Sequence, residues 1–310
     1  MVPVLNKKTL ERISEVFNSS DQITIDDSSR VVIMSDCHRG DGSWADDFLK
    51  NQNIYFTALT HYYNNNYTYI EIGDGDELWK NKKLSEIIQQ HSDAYWLMSK
   101  FFNKGRLYLI YGNHDIDKKN SDFVKKNLYQ YYYEREKTFI PLFKNIKLHE
   151  GLILKHSETN GKIFLIHGHQ ADNFNGRLWK MSRFLVRNLW RPLSSFGIKD
   201  PTSAAKNHVK KETIEKILTA WVIREKNMLI AGHTHRPMFP EPGKPPYFND
   251  GSCVHPRCIT AIEISDGYIM LVKWSVKVMP KTNGRLFVSR EVLAGPELLK
   301  NYFSELEGER

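Results

Sequence analysis

Short apolar runs recur along the chain, and each run ends in a cluster of polar residues that in most cases includes glycine. Five of these runs occupy residues 31–34, 67–72, 107–111, 163–166 and 228–231. Short apolar segments that are rich in β-branched and aromatic residues and bounded by turn formers are typical of buried strands. The pattern therefore predicts five short strands at the centre of the fold.

Between these runs, apolar residues recur at helical spacing, which predicts helices over residues 7–17, 45–63 and 84–103. Strands that alternate with helices indicate an α/β fold. Near the end of the chain, residues 258–264 and 268–274 flank the turn sequence Ser265-Asp266-Gly267, which predicts a hairpin. We therefore expect a mixed core rather than a purely parallel sheet.

Residues 171–227 interrupt this alternation of strands and helices. The stretch contains Pro192 and Pro201, and its apolar residues fall within longer helical patterns. We interpret it as a helical insertion or cap. The predicted organisation is a single domain over residues 1–310 with this cap at about 171–227.

The composition excludes some classes of protein. The longest apolar runs have five residues, far fewer than the roughly 18 of a membrane-spanning helix. Three cysteines, Cys37, Cys253 and Cys258, do not resemble a disulfide framework, and the chain opens without a secretory leader, so we expect a cytoplasmic protein. A net charge of +8 favours anionic partners: phosphorylated metabolites, nucleic acid or an acidic membrane surface.

The polar clusters after the five predicted strands carry the candidate chemistry. In open α/β sheets, functional groups collect beyond the carboxyl ends of the strands. One aspartate or histidine at a strand end is explained by a turn or a helix cap, but five such clusters at corresponding positions predict a shared site. They are Asp36-Cys37-His38, Gly73-Asp74, Gly112-Asn113-His114-Asp115, His167-Gly168-His169 and Gly232-His233-Thr234-His235.

The donor types in these clusters indicate metal ions. Imidazole, carboxylate and amide oxygen suit divalent Mn, Fe or Zn, and of these we expect Mn first. Four histidines, two carboxylates and an amide exceed the three protein ligands typical of one catalytic zinc ion. The set fits two ions that share a carboxylate and activate a bridging water for attack on phosphorus.

At these residues, over about positions 31–235, the sequence resembles the calcineurin-like metallophosphoesterase superfamily. The resemblance implies a four-layer αββα sandwich with a dinuclear metal centre between its two sheets. It also implies an enzyme that hydrolyses a phosphoric ester or pyrophosphate bond with a bridging hydroxide. By position, it assigns Asp36, His38 and His235 to one metal, Asn113, His167 and His233 to the other, Asp74 to the bridge, and His114 to protonation of the leaving oxygen or stabilisation of the transition state.

A narrower resemblance rests on Glu77 and Trp79, which complete the pattern Asp-x-x-Glu-x-Trp. This pattern is similar to the UDP-2,3-diacylglucosamine pyrophosphatases of lipid A synthesis, which implies a nucleotide-linked or lipid-linked substrate. That branch commonly has Arg where His114 stands, Leu where Arg39 stands and Asp where His169 stands. We therefore expect a relative of the branch with a different reaction.

Two further side chains are candidates for contact with a substrate. Arg39 either reaches a substrate phosphate or pairs at the surface with Asp41 or Asp46. His169 is either a substrate contact or a structural group. Asp115 is expected to cap a helix or to orient a metal ligand through a hydrogen bond.

Residues 177–191 (RLWKMSRFLVRNLWR) predict a basic amphipathic helix. Three interpretations stay open: a cap helix with solvated cations, contact with an anionic membrane or a lipid-linked substrate, and contact with nucleic acid. For the whole chain, the alternatives to a small-molecule hydrolase are a nuclease of the same superfamily and a metal-binding scaffold without turnover. The intact donor set favours catalysis.

Overall fold

The computed structural model describes residues 7–134, 136–172, 183–186, 208–278 and 284–308. The elements follow the order α1 (Lys7–Ser19), β1 (Asp21–Ile25), β2 (Val31–Met34), α2 (Gln52–Asn64), β3 (Thr68–Ile72), α3 (Leu84–Gln90), α4 (Ser92–Asn103), β4 (Leu107–Ile110), α5 (Ser121–Leu128), β5 (Gln130–Tyr133), β6 (Thr138–Pro141), β7 (Leu148–His149), β8 (Gly151–His156), β9 (Lys162–Ile166), α6 (His208–Glu225), β10 (Met228–Ala231), β11 (Tyr247–Asn249), β12 (Cys258–Ser265), β13 (Tyr268–Val278), β14 (Leu286–Leu298) and α7 (Leu299–Gly308). Two short 3₁₀ turns, Ile116–Lys119 and His169–Ala171, follow β4 and β9.

Two large sheets contain all five strands predicted from the apolar runs. The seven-stranded sheet has the order β14-β13-β12-β2-β3-β4-β7, and the five-stranded sheet has the order β1-β8-β9-β10-β11. Strands β2, β3 and β4 are parallel neighbours in the first sheet, and β9 and β10 are parallel neighbours in the second. Each sheet therefore directs the carboxyl ends of its predicted strands toward one edge.

The sheets and helices pack in four layers. Side chains of both sheets, such as Ile33, Ile70, Leu165 and Ile230, form a buried core between them. The outer face of the seven-stranded sheet packs against α2, α3 and α4, and that of the five-stranded sheet packs against α1 and α6. The expected αββα sandwich is confirmed.

Two helix predictions differ from the structure, and in both cases the boundary involves Asp46. The helix predicted over residues 45–63 begins only at Gln52, because the Asp46 carboxylate accepts hydrogen bonds from the backbone of Phe48 and Leu49 and holds a series of turns. The pattern over residues 84–103 forms two helices that meet at His91. The buried ring of His91 lies 2.8 Å from Asp46, so one contact fixes both boundaries.

The predicted hairpin near the end of the chain is formed by β12 and β13, which pair antiparallel and make the seven-stranded sheet mixed. Within the predicted insertion, helix α6 packs Ile214, Leu218 and Trp221 against the five-stranded sheet and belongs to an outer layer. Residues 173–182 and 187–207 lie outside the described residues, and most of the basic segment 177–191 lies there too. The cap and the single-domain organisation stay predictions.

None of the helices in the described part of the chain has the length and apolar character that crossing a membrane requires.

Candidate metal centre

The carboxyl ends of β2, β3, β4, β9 and β10 meet between the two sheets. All of the predicted ligands are buried except His235, which is partly buried. Six of the seven predicted ligands lie in two contacting groups. The seventh is Asn113, and its sequence neighbours Gly112 and His114 both approach Asp74. The expectation of one shared site at the strand ends agrees with this geometry.

One donor set consists of Asp36, His38 and His235. His235 Nε2 lies 3.0 Å from Asp36 Oδ1 and 3.3 Å from His38 Nε2. His38 Nε2 lies 3.6 Å from the same oxygen of Asp36. Three side chains from the segments that follow β2 and β10 therefore bring their ligand atoms together. Nitrogen and oxygen ligands of this kind suit first-row divalent metals.

A second donor set consists of Asp74, His167 and His233, whose donor atoms lie within 4.8 Å of one another. His167 Nε2 lies 3.1 Å from Asp74 Oδ2. The other ring nitrogen of His167 is 3.0 Å from the carbonyl oxygen of Ile72. Because this backbone contact fixes the ring, it directs Nε2 into the site, as is common for histidines that bind metals.

Asp74 joins the two donor sets through a single oxygen atom. Its Oδ2 lies 3.1 Å from His167 Nε2 in the second set and 3.9 Å from His38 Nε2 in the first. Its Oδ1 accepts a hydrogen bond of 2.7 Å from the backbone N–H of His114. Position 112 must be glycine for this approach, since a Cβ there would overlap the Asp74 carboxylate.

The backbone at the candidate ligands adopts a conformation that is rare for residues with a side chain. Asp36, His38, Asp74, His233 and His235 all have φ angles between 48° and 68°. Such left-handed conformations cost of order 1–3 kcal/mol each and concentrate at functional sites. The fold therefore holds these side chains in positions that relaxed strand ends would not give them.

Three buried candidate ligand atoms make no regular hydrogen bond within the described ranges: Asn113 Oδ1 has no partner there, and Asp36 Oδ1 and His167 Nε2 have only the ion-pair contacts with His235 and Asp74. An unsatisfied buried polar atom costs about 1–3 kcal/mol and is uncommon in native proteins. All three are atoms that a divalent cation accepts as ligands. The residues present therefore fit bound metal ions.

The two aspartates of the site are ionised in spite of their burial. Burial opposes their charge, but the neighbouring histidines outweigh it and hold the pKa of Asp36 and that of Asp74 below the usual range. Burial also disfavours the charged form of His167, but the carboxylates raise its pKa to about 9. Without a cation, protonated histidine balances the carboxylates, and a metal ion would replace those protons.

His114 is held in place beside the first donor set. Its Nδ1 lies 2.9 Å and 3.0 Å from the two carboxylate oxygens of Glu77, and its ring stacks on Trp79 with the centroids 4.2 Å apart. Glu77 also lies 3.3 Å from His38 Nδ1. The Glu and Trp of the sequence pattern thus orient His114, whose side chain is about one-fifth exposed.

Arg39 corrects a prediction. Its guanidinium is fully buried, donates to both oxygens of Glu71 at 2.7 Å and donates to Asp76 at 2.9 Å. Pairing at the surface with Asp41 or Asp46 is therefore wrong. These two carboxylates occupy the buried guanidinium, and its predicted contact with a substrate phosphate stays a prediction.

His169 and Asp115 lie next to the donor sets. The buried ring of His169 is 5.6 Å from that of His167, and burial lowers its pKa well below the usual range, so it is neutral. Its contact with a substrate stays a prediction. Asp115 accepts hydrogen bonds of 2.7 Å from the backbone N–H of Gly112 and from Lys118, and so shapes the loop that carries Asn113. Its expected role in orienting a metal ligand stays a prediction.

Two carboxylates absent from the sequence predictions also adjoin the site. Asp172 lies 3.3 Å from His233 Nε2. The Ser35 hydroxyl lies between Asp250 and Asp36, at 2.8 Å and 2.5 Å, and burial raises the pKa of Asp250 well above its usual range. Asp250 follows strand β11 and precedes a glycine, which is the same pattern that marks the other clusters. Asp172 has no comparable pattern.

A four-layer sandwich with histidine and carboxylate donors between its sheets defines a metal-binding α/β protein. The chain belongs to the calcineurin-like phosphoesterase family, whose family model it matches over residues 29–237. This membership places it among metal-dependent phosphoester hydrolases in general, and the matched range includes every predicted ligand.

A comparison with solved structures found a similarity to Vps29 from Chaetomium thermophilum, which is 11% identical over 86% of this chain and 96% of that chain, with a TM-score of 0.41. A 5'-nucleotidase from Candida albicans is also 11% identical, over 94% of this chain and 57% of that chain, with a TM-score of 0.29. A comparison with curated proteins found no match.

Proposed function

We propose that the chain is an enzyme that hydrolyses a phosphoric ester or anhydride bond with two divalent metal ions. Family membership supports phosphoester hydrolysis in general. The observation that carries the two-metal proposal is the position of Asp74 Oδ2, which faces His38 in one donor set and His167 in the other. A carboxylate oxygen between two such sets can bridge two cations and offset their mutual repulsion.

The protein side chains have distinct roles in this proposal. When bound, the ions would polarise the phosphoryl oxygens and lower the pKa of a water molecule. Asp36, His38 and His235 would hold one ion, Asn113, His167 and His233 would hold the other, and Asp74 would bridge them.

His114 is the proposed general acid. Glu77 fixes its Nδ1, which leaves Nε2 as the nitrogen that can deliver a proton to the leaving oxygen. Stacking on Trp79 holds the ring in one orientation before a substrate binds. A side chain held in this way loses little conformational entropy when the reaction begins.

Mn²⁺ is the proposed resident metal, with Fe and Zn as the alternatives. The donor sets contain nitrogen and oxygen only, a combination that suits these ions. Cys37, which lies between two candidate ligands, is buried with its Sγ 3.8 Å from Glu71. Its thiol therefore lies among the charges beneath the site and does not complete a soft-metal set.

For the substrate we propose a phosphate linked to a nucleoside or a lipid. The support is the Asp-x-x-Glu-x-Trp pattern, in which Glu77 and Trp79 both contact His114. Because His114 stands where the pyrophosphatases of that pattern commonly have Arg, we expect a different reaction from theirs.

The experiment is hydrolysis of p-nitrophenyl monoesters and diesters by the purified chain with Mn²⁺. We expect product release that a chelator stops and that added Mn²⁺ restores. Asp266→Asn, at an exposed aspartate, serves as the matched control for Asp74→Asn. Complete inertness of a protein that carries both metal ions would contradict the enzyme and favour the scaffold.

A further inference from the structure

Directly after His38 and Arg39, the chain forms a loop that leads to helix α2. We call residues 40–51 the rim loop. It carries Trp44, whose side chain is 62% exposed, more than any other tryptophan in the described ranges. A single exposed aromatic residue is ordinary on a protein surface. Trp44 differs because it lies on a loop that follows directly after the candidate ligand His38.

The rim loop is held by polar contacts and does not rely on burial of Trp44. Asp46 accepts backbone hydrogen bonds from Gly42, Phe48 and Leu49 and contacts the buried ring of His91 at 2.8 Å. Phe48, also in the rim loop, is completely buried and anchors the loop to the core. A loop fixed in this way presents its exposed ring without losing much further conformational entropy when a ligand binds.

Lys80 connects the rim loop to the candidate metal centre. Its Nζ lies 3.3 Å from the carbonyl oxygen of Ala45, the residue after Trp44, and 3.8 Å from Glu77 Oε2. The same oxygen of Glu77 lies 3.3 Å from His38 Nδ1. Three contacts therefore join Ala45, the neighbour of Trp44, to the candidate ligand His38, and Trp44 itself is only six positions after His38 in the chain. The rim loop thus borders the candidate metal centre.

The residues around Trp44 are polar. Asp41 accepts a hydrogen bond from the backbone N–H of Ser43, and Ser43 accepts one from the backbone N–H of Ala45. Asp47, three positions after Trp44, lies 2.6 Å from Lys80. A lipid chain requires a contiguous apolar surface, which a single ring among charged groups does not offer. A planar base instead needs one aromatic face for stacking and polar neighbours for its edges.

We infer that Trp44 forms a stacking subsite for the nucleobase of a nucleotide-linked substrate. The inference rests on the proposed function, because it places the phosphate of the same molecule at the metal centre. It names the nucleoside as the part of the substrate that the rim loop recognises.

The test is calorimetric binding of UMP, AMP, ribose 5-phosphate and inorganic phosphate to the Mn²⁺-loaded protein. We expect wild-type protein to bind both nucleotides more tightly than ribose 5-phosphate. Trp44→Ala should weaken nucleotide binding on the order of 5- to 100-fold, the usual value of one base stack, and Trp44→Phe should restore most of it. Binding of ribose 5-phosphate and inorganic phosphate should not change.

Trp96→Ala is the matched control, since Trp96 is 50% exposed on α4 with Lys100 over its ring. It should leave all four affinities unchanged. The base subsite would be overturned if wild-type protein bound the nucleotides no more tightly than ribose 5-phosphate. It would also be overturned if Trp44→Ala weakened the binding of nucleotides and of ribose 5-phosphate equally. Nucleotide binding that depends on Trp44 without any turnover would keep the subsite and contradict the proposed hydrolysis.

Discussion

Two neighbouring clusters of buried charge balance their carboxylates in different ways. In the candidate metal centre, Asp36 and Asp74 face histidines, and both polar side-chain atoms of the buried Asn113 lack a hydrogen-bond partner in the described chain. Directly below lies a second set, which we call the buried ion-pair cluster. Its members are Arg39, Glu71, Asp76, Asp115 and Lys118, all of them buried.

The buried ion-pair cluster contains its own cations. Arg39 lies 2.7 Å from Glu71 and 2.9 Å from Asp76, and Lys118 lies 2.7 Å from both Asp76 and Asp115. Burial disfavours both positive charges, but the carboxylates outweigh it and raise the pKa of Arg39 and of Lys118 above the usual range.

The difference shows which acidic cluster needs a cation from outside the chain. Arginine and lysine balance two of the three carboxylates in the buried ion-pair cluster, and burial raises the pKa of the third, Asp115, which favours its neutral form. The metal centre has only histidine, aspartate and asparagine, so protons or metal ions must supply its positive charge. We therefore propose separate roles for these two sets of carboxylates, structural for the buried ion-pair cluster and chemical for the candidate metal centre.

The largest expected effect comes from exchanging one carboxylate in each cluster for an amide. Asp74→Asn should abolish phosphoester hydrolysis, because a neutral amide cannot offset the repulsion between two cations. Asp76→Asn, two residues further along, should lower stability but leave turnover intact below its melting temperature. Steady-state assays at low temperature compare the two, and equal losses of activity would contradict the separation of roles.

His114→Ala should lower kcat by about 10²–10⁴, the usual contribution of a positioned acid or base, while metal content persists. The loss should shrink for nitrophenyl leaving groups, which need less protonation than alkyl groups. Parallel assays with both types of substrate provide the measurement. An equal loss for both would count against the acid role.

Arg39→Met should lower the free energy of unfolding by about 3–5 kcal/mol, since it leaves Glu71 and Asp76 buried beside too little positive charge. Urea denaturation of metal-free protein gives the value. Arg30→Met is the control, because its 3.8 Å pair with Asp266 is exposed and should contribute no more than about 1 kcal/mol. Similar losses in both variants would refute the special role of the buried pair.

Mn²⁺ at about one hundred times the dissociation constant of each site should raise the free energy of unfolding by roughly 2.7 kcal/mol per bound ion, and so by about 5.4 kcal/mol for two ions. Arg39→Met should keep this increment, since its cluster does not hold the metal. Asp74→Asn should lose most of it. Thermal unfolding with Mn²⁺ and with a chelator measures this increment. Loss of the increment in Arg39→Met but not in Asp74→Asn would contradict the assignment of the metal ions to the candidate metal centre.

The site could be predicted from the sequence because its pieces are local. Asp74 and His167 each follow a short apolar run beside a glycine, and the parallel order of the strands brings such ends together. The buried ion-pair cluster could not be predicted in this way. Arg39 and Glu71 are 32 positions apart, and Glu71 lies inside a run that indicates only a strand.

The helix boundary at His91 depended on tertiary contacts in the same way. No glycine or proline marks that position in the sequence. The helices separate there because the ring of His91 turns inward to Asp46, which is 45 positions away. Local patterns therefore predicted the elements and donors, while buried polar pairs between distant segments decided where the elements end and which charges are neutralised.

We expect the candidate metal centre to bind two metal ions and the buried ion-pair cluster to bind none. The most direct test is the number of manganese ions per chain, measured by mass spectrometry after dialysis against excess Mn²⁺ and removal of free metal. We expect two manganese ions per chain in the wild type and in Asp76→Asn, and fewer in Asp74→Asn. A single ion in the wild type, or two ions and full turnover in Asp74→Asn, would contradict a two-metal centre bridged by Asp74.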